Sequence, residues 1–386
     1  GVACAMAPTM WALVLARAVQ GVGAAGMAAL PLALARDAVG PERSGSIMGL
    51  LGTAAAVGTG AGPAIGGLLL GAWGWPAIFW AMLPIPLLTA LAAPRVLARV
   101  SGSRGETATA GTLRGRDGGS RQRGVFDLRG SAIVAVAATL YAVAFTGTVS
   151  GTRWALALMA AAGVLIVVLV PIERRAAHPV LPLQLLRTRS LGLGAVLNLV
   201  VGAVMMSTLA VGPFYLSGAL GLSPTAVGLA MAAGPIASIV SGVLAGRLVD
   251  RGVPTRLMTA GLLVMTAAAA ALALLPPLAG LPGYLAGTVL LAPGYQLFMT
   301  ANNTEAMSAV ARERRGTAAG VLGLSRNLGL VTGSSVLGTL FAMAAGATGQ
   351  AAATADALDS GLRLVFSIAA VCLAAACLAS FAGKRR

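Results

Sequence analysis

Arg17 places the greatest demand on its surroundings. It lies in Leu13-Val-Leu-Ala-Arg17-Ala-Val-Gln20-Gly21, an otherwise apolar stretch. A charged side chain inside a membrane helix costs about 2.5–3.5 kcal/mol on insertion scales, so such residues are functional candidates by default. Gln20, one helical turn on, can share its polar face. The competing reading is an arginine that snorkels to the outer headgroups. Further polar groups interrupt other apolar stretches: Tyr295 and Gln296, then Asn302, Asn303 and Glu305, then Arg326 and Asn327. These residue types hydrogen-bond and carry charge rather than make or break bonds. Each either lines a polar cavity between helices or ties two helices together.

The groups that enzymes use are missing. Of the 11 Asp and Glu, ten sit in expected loops or at the ends of apolar runs, and Glu305 lies near the inner surface. No carboxylate stands mid-run, and the single histidine, His178, falls in a loop. There is no HExxH, no GxSxG elbow and no phosphate-binding GxxxxGK[ST] loop, which argues against an enzyme and against an ATP-driven pump. Gly21-Val-Gly23-Ala-Ala-Gly26 matches G-x-G-x-x-G but has no preceding strand, so it reads as helix packing. Cys4, Cys372 and Cys377 lack metal-ligand or disulfide spacing. No cofactor and no metal are expected.

The elements that must hold these groups follow from composition. Hydrophobic residues make up 58% of the chain and charged residues 10%, with a mean hydropathy of +0.88; a soluble domain carries about 25% charge. Runs of about 20 apolar residues recur throughout, the mark of membrane-spanning helices. Eleven full spans are expected near 9–34, 46–71, 76–97, 130–149, 153–172, 190–216, 225–247, 256–276, 283–305, 316–343 and 362–382. The net charge of +16 could suggest nucleic acid. The basic residues do not cluster, however: 23 of the 27 fall in alternate connections, which is the positive-inside pattern and not a nucleic-acid footprint. That side, with the C-terminus, is expected to be cytoplasmic.

One run carries a second signal. Gly58, Gly62 and Gly66 are four apart and form a bare stripe on a helix, with Pro63 and Gly67 beside it. Such a stripe admits a neighbouring backbone, and the proline favours a bend. Residues 98–126 are the only long polar stretch and read as a flexible linker. The N-terminus, Gly1-Val-Ala-Cys-Ala-Met-Ala, is apolar from its first residue and lacks the basic region of a signal peptide. It is expected to be the tail of a helix whose start is absent.

Together these residues resemble a known family. Arg17-Ala-Val-Gln20-Gly21-Val-Gly23 resembles motif B of the major facilitator superfamily. Gly58-x-x-x-Gly62-Pro63-x-x-Gly66-Gly67 resembles its motif C, the antiporter motif. Gly246-Arg-Leu-Val-Asp250-Arg251-Gly252 is similar to the motif A pattern in its second-half copy. Thr300-Ala-Asn302-Asn303 and the Gly316–Gly338 region are similar to fourteen-span drug:proton antiporters.

The resemblance implies an all-α polytopic membrane protein of the major facilitator fold, with eleven full spans and an N-terminal stub against about fourteen in the intact family. Four segments follow: an incomplete N-terminal helix half (1–97), the basic cytoplasmic linker (98–129), an inserted helix pair (130–172) and a six-helix C-terminal half (173–386). The implied activity is proton-coupled export of lipophilic small molecules such as drugs or antibiotics, by a monomer in the plasma (inner) membrane. Metabolite symport and a non-transporting membrane protein are the alternatives. The resemblance gives Arg17 the role of biasing a carboxylate's protonation. Gly58–Gly67 would form a tight movable contact, and Asp250 and Arg251 an inner-face charge network. The coupling carboxylate would lie in the absent first helices.

Overall fold

A computed structural model of the protein describes residues 1–38, 44–92, 128–145, 152–175, 186, 188–311, 314–346 and 354–382. Apart from its last two residues, the expected linker 98–129 lies outside them. Among the described residues every regular element is helical. The main helices are α1 (Val2–Ala5), α2 (Met10–Ala38), α3 (Ser44–Trp73), α4 (Trp75–Ala81), α5 (Leu128–Phe145), α6 (Thr152–Arg175), α7 (Arg189–Phe214), α8 (Pro224–Arg251), α9 (Pro254–Leu274), α10 (Leu281–Ser308), α11 (Arg315–Thr332), α12 (Gly338–Ala344) and α13 (Ala355–Ala382), with one further helical turn at Pro276–Ala279. Short π-helical turns follow α7 and α11.

The punctuation is local. Ser223 caps α8 by accepting a hydrogen bond from the Ala226 amide, and Pro224 starts the helix, where a missing N–H costs nothing. Gly74 (φ 76°) and Gly280 (φ 59°) make the turns before α4 and α10, conformations that a Cβ disfavours.

Where they are described the expected spans are largely helical, but 76–97 is interrupted at Met82 and Leu83 and 256–276 at Leu275. Among the described residues, seven helical segments are long and apolar enough to cross a membrane: Trp75–Ala92, Leu156–Glu173, Ser190–Ala219, Thr225–Arg251, Pro254–Leu274, Arg315–Ala344 and Ala355–Phe381. α10 is long enough but too polar to join them, because Gln296, Thr300, Asn302, Asn303 and Thr304 all lie on it. All five are buried. This helix has turned its polarity inward.

The chain divides into two units, Gly1–Ala24 with Ile65–Phe126, and Ala25–Ala64 with Asp127–Arg386. In the first, the start of α2 and helix α4 contribute the groups of interest. In the second, the largest buried cluster joins Leu262 and Met265 of α9, Phe298 of α10, Phe366 of α13 and Tyr215. A smaller cluster holds Met48, Leu191, Met307 and Leu322. The outward faces are as apolar as the core: Leu229, Ile236, Val240 and Leu244 of α8 and Val371 and Leu378 of α13 are exposed. Water would not tolerate such a surface, whereas hydrocarbon solvates it and forces the backbone to satisfy itself within helices.

Candidate functional site

The second unit holds a partly open cavity of about 370 Å³. Helix α10 presents one stripe to it: Tyr284, Thr288, Leu291, Tyr295, Met299 and Asn303, with Ala292, Gln296 and Thr300 beside them. Steps of three and four place these on a single face. The opposite walls come from α3, α7, α8 and α11, through Met48 and Gly52, Asn198 and Thr208, Met231 and Ser238, and Arg326 respectively. Five methionines (Met27, Met48, Met205, Met231 and Met299) line the space. Their unbranched, polarisable side chains adapt to varied apolar shapes.

Gln296 braces this wall. It is 1% exposed, and its Nε2 donates to the Ser238 carbonyl at 3.0 Å. A Cβ on Gly52 would meet its Oε1 at 3.0 Å. One amide thus spans the crossing of α3, α8 and α10. Below it, α3 and α8 touch backbone to backbone. A Cβ on Gly49 would sit 2.4 Å from the Gly242 carbonyl oxygen and 2.9 Å from the Gly246 Cα. At the end of this contact the Asp250 carboxylate accepts from the Ser46 amide at 2.8 Å and from the Ser46 hydroxyl. Ser46 lies in the first turn of α3, where amides lack intrahelical partners and the dipole favours a negative charge.

The expected site residues therefore separate. Tyr295, Gln296, Asn303 and Arg326 meet at the cavity. Asn302, 100° further round α10, faces α7 and donates to the Gly194 carbonyl at 3.3 Å. Asn327 and Arg251 are exposed, and Asp250 and Gly246 belong to the α3–α8 contact. In the first unit Arg17 donates to Gln20 Oε1 at 2.9 Å and lies 5.7 Å from the centre of the Phe79 ring, a cation–π distance. Cys4 also reaches Gln20 Oε1.

The glycine stripe stands differently from its expected contact. Gly58, Gly62 and Gly66 lie in α3, but no described atom comes within 4 Å of a Cβ placed on any of them. Pro63 and Gly67 are helical, and their side-chain surroundings lie outside the described residues. The close approach in α3 is one and a half turns or more earlier, at Gly49 and Gly52.

Sequence reasoning missed Asn198, Ser46, the methionines and this earlier contact. Two signals were available: Asn198 is a lone amide in an apolar run, and Gly242-x-x-x-Gly246 is a small-xxx-small pair. Asn302→Leu is expected to lower stability by about 0.6–1.7 kcal/mol, the range of interhelical hydrogen bonds in a bilayer. A lower melting temperature in detergent checks this; an unchanged one rejects the bond as a contributor.

Comparison with known proteins agrees with these features. The model of the Major Facilitator Superfamily matches residues 1–334. The chain is 32% identical over 339 residues to the uncharacterized transporter YebQ of Escherichia coli, covering 86% of this chain and 70% of that protein. It is 31% identical over 346 residues to the multidrug resistance protein Stp of Mycobacterium tuberculosis, with 88% and 61% covered. It is 25% identical over 339 residues to the riboflavin transporter RibZ of Clostridioides difficile, with 88% and 70% covered. The matched region thus spans three-fifths to seven-tenths of these relatives. With the family match extending over most of its 386 residues, the chain belongs to the major facilitator superfamily, a family of multi-pass membrane transporters rather than enzymes.

Proposed function

We propose that the protein exports lipophilic small molecules in exchange for protons, by alternating access, as the fourteen-span drug:proton antiporters do. The carrying observation is the cavity of about 370 Å³, walled by five methionines and two tyrosines with a few polar side chains. That volume and lining suit a drug-sized apolar body held by a few directional contacts. The name of the Stp relative, a multidrug resistance protein, supports the same direction. The C-terminus is cytoplasmic in this reading, because 23 of the 27 basic residues fall on its side of the membrane. The protein acts as a monomer in the plasma membrane.

The named groups then take distinct roles. Arg17, held by Gln20 and Phe79, biases the protonation of a carboxylate. The Asp250–Ser46 contact holds α3 against α8 in one conformational state and is released in the other. The Gly58–Gly67 stripe closes on a neighbouring helix in the state that limits leak. A second reading, metabolite transport, draws on the name of the RibZ relative, a riboflavin transporter.

Proteoliposomes with an imposed pH gradient separate these readings. A lipophilic dye should leave against its gradient while protons enter. Arg17→Ala should reduce this exchange at least ten-fold. Normal exchange in that variant would remove Arg17 from the coupling. Uptake rather than export, in step with protons, would favour the second reading.

A further inference from the structure

Among the described residues lining the cavity, Arg326 is the single charged one; the other polar groups are neutral. It is the twelfth residue of the 30-residue apolar segment Arg315–Ala344, far from either end. Its Nε is buried and has no hydrogen-bond partner. The backbone beneath it packs closely: a Cβ on Gly202 would lie 2.8 Å from the Arg326 carbonyl oxygen, and one on Gly329 would lie 2.2 Å from that of Leu199. α7 and α11 are therefore in direct backbone contact at this level.

Asn198 supplies the other half of the arrangement. It is 1% exposed and lines the same cavity. Its Nδ2 donates to the Leu322 carbonyl at 2.9 Å, one turn from Arg326 on α11, and its Oδ1 is buried without a partner. Among the described residues the α7–α11 wall thus offers a cationic donor whose Nε is unbonded beside an acceptor lacking a donor. A lone charge in a low-dielectric space is costly until it is paired. No described carboxylate lines the cavity to pair it.

We infer that the cavity selects amphipathic organic anions. A carboxylate, phenolate or sulfonate pairs with Arg326, a hydroxyl or N–H of the same molecule donates to Asn198 Oδ1, and an apolar body lies among the methionines. Among the described lining residues, lipophilic cations meet a like charge and no opposite one. This assignment deepens the export reading and rests on it for direction alone. Exporting a monoanion while a proton enters moves two charges the same way, so an interior-negative potential drives the exchange.

Fluorescein and rhodamine 123 test the inference, because they share a xanthene body and differ in the sign of their charge. Their binding to the purified 386-residue chain in a neutral detergent is read by fluorescence anisotropy with no proton gradient. Saturable fluorescein binding at least ten-fold tighter than rhodamine 123 binding is expected. Arg326→Gln should abolish that preference and Arg326→Lys should retain part of it. Circular dichroism verifies that the variants fold; if the Gln variant does not, the wild-type preference and its partial retention in the Lys variant carry the test. Equal or tighter rhodamine 123 binding, no saturable fluorescein binding, or a full preference in folded Arg326→Gln overturns the assignment. Proton flux in proteoliposomes is read separately. Its absence beside an intact anion preference counts against proton-coupled export and leaves the anion site standing.

Discussion

Gly242→Leu is expected to reduce transport at least ten-fold while the protein still reaches the membrane. A Cβ at this position would lie 2.2 Å from Thr53 Oγ1 and 3.2 Å from both the Gly49 carbonyl oxygen and Gln296 Nε2. Thr53 cannot easily swing aside, because its hydroxyl already donates to the Gly49 carbonyl at 2.9 Å. The remaining leucine atoms would force α3 away from α8. Overpacking costs about 1–3 kcal/mol where side chains can adjust, and here two backbones must separate. The same displacement draws Gln296 off the Ser238 carbonyl and distorts the cavity wall. Gly228→Leu is the control on the same helix, since no described atom lies within 4 Å of its Cβ position. Dye transport and melting temperature for both variants decide the matter. Wild-type transport by folded Gly242→Leu would show that the α3–α8 approach is dispensable.

Asp250→Ala should produce the other large effect, through a conformational equilibrium rather than through packing. The carboxylate caps the first turn of α3 from the last turn of α8. At the end of α8 its charge opposes that helix's own dipole; at the start of α3 it complements the dipole there. The contact with α3 therefore favours the state in which the two helix ends are together. Capping contacts contribute about 0.5–2 kcal/mol, and 1.4 kcal/mol shifts a two-state population ten-fold. Asp250→Ala is expected to slow turnover about ten-fold. Asp250→Asn keeps an acceptor without the charge and should fall between. Ser46→Ala retains the amide bond and should lose less than the Asp250 variants. A folded Asp250→Ala turning over at the wild-type rate would remove this contact from the transport cycle.

The residues differ in how far their own types disclosed their places. Arg17 and Gln20 were legible as a pair because three residues of helix bring them to one face, and they do bond to each other. Tyr295, Gln296, Asn303 and Arg326 were legible as polar groups in apolar runs, and they share one cavity. Asn302 was legible in the same way but faces α7, because one residue on a helix is a rotation of 100°. Neither Ser46 nor Gly49 is unusual where it stands. Each matters because α8, 200 residues later, lies against it. Phe79 under Arg17 is likewise an ordinary apolar residue until the guanidinium lies over its ring.

The sequence by itself determined the solvent and the elements. A chain with 58% hydrophobic and 10% charged residues, in runs of about 20, must satisfy its backbone inside helices in a bilayer. It also carried the motifs by which the family resemblance was read. Tertiary structure decided which glycines are contacts, which amides face a cavity and which charges lack a partner. Helical periodicity assigns each residue to a face of its own helix. Only the crossing of two helices decides what that face meets. Between helices in hydrocarbon, the hydrophobic effect no longer discriminates among crossings, so close packing and hydrogen bonds select them. Those are relations between distant residues, such as Gly49 with Gly242 or Asn198 with Leu322, that no single stretch of the chain contains.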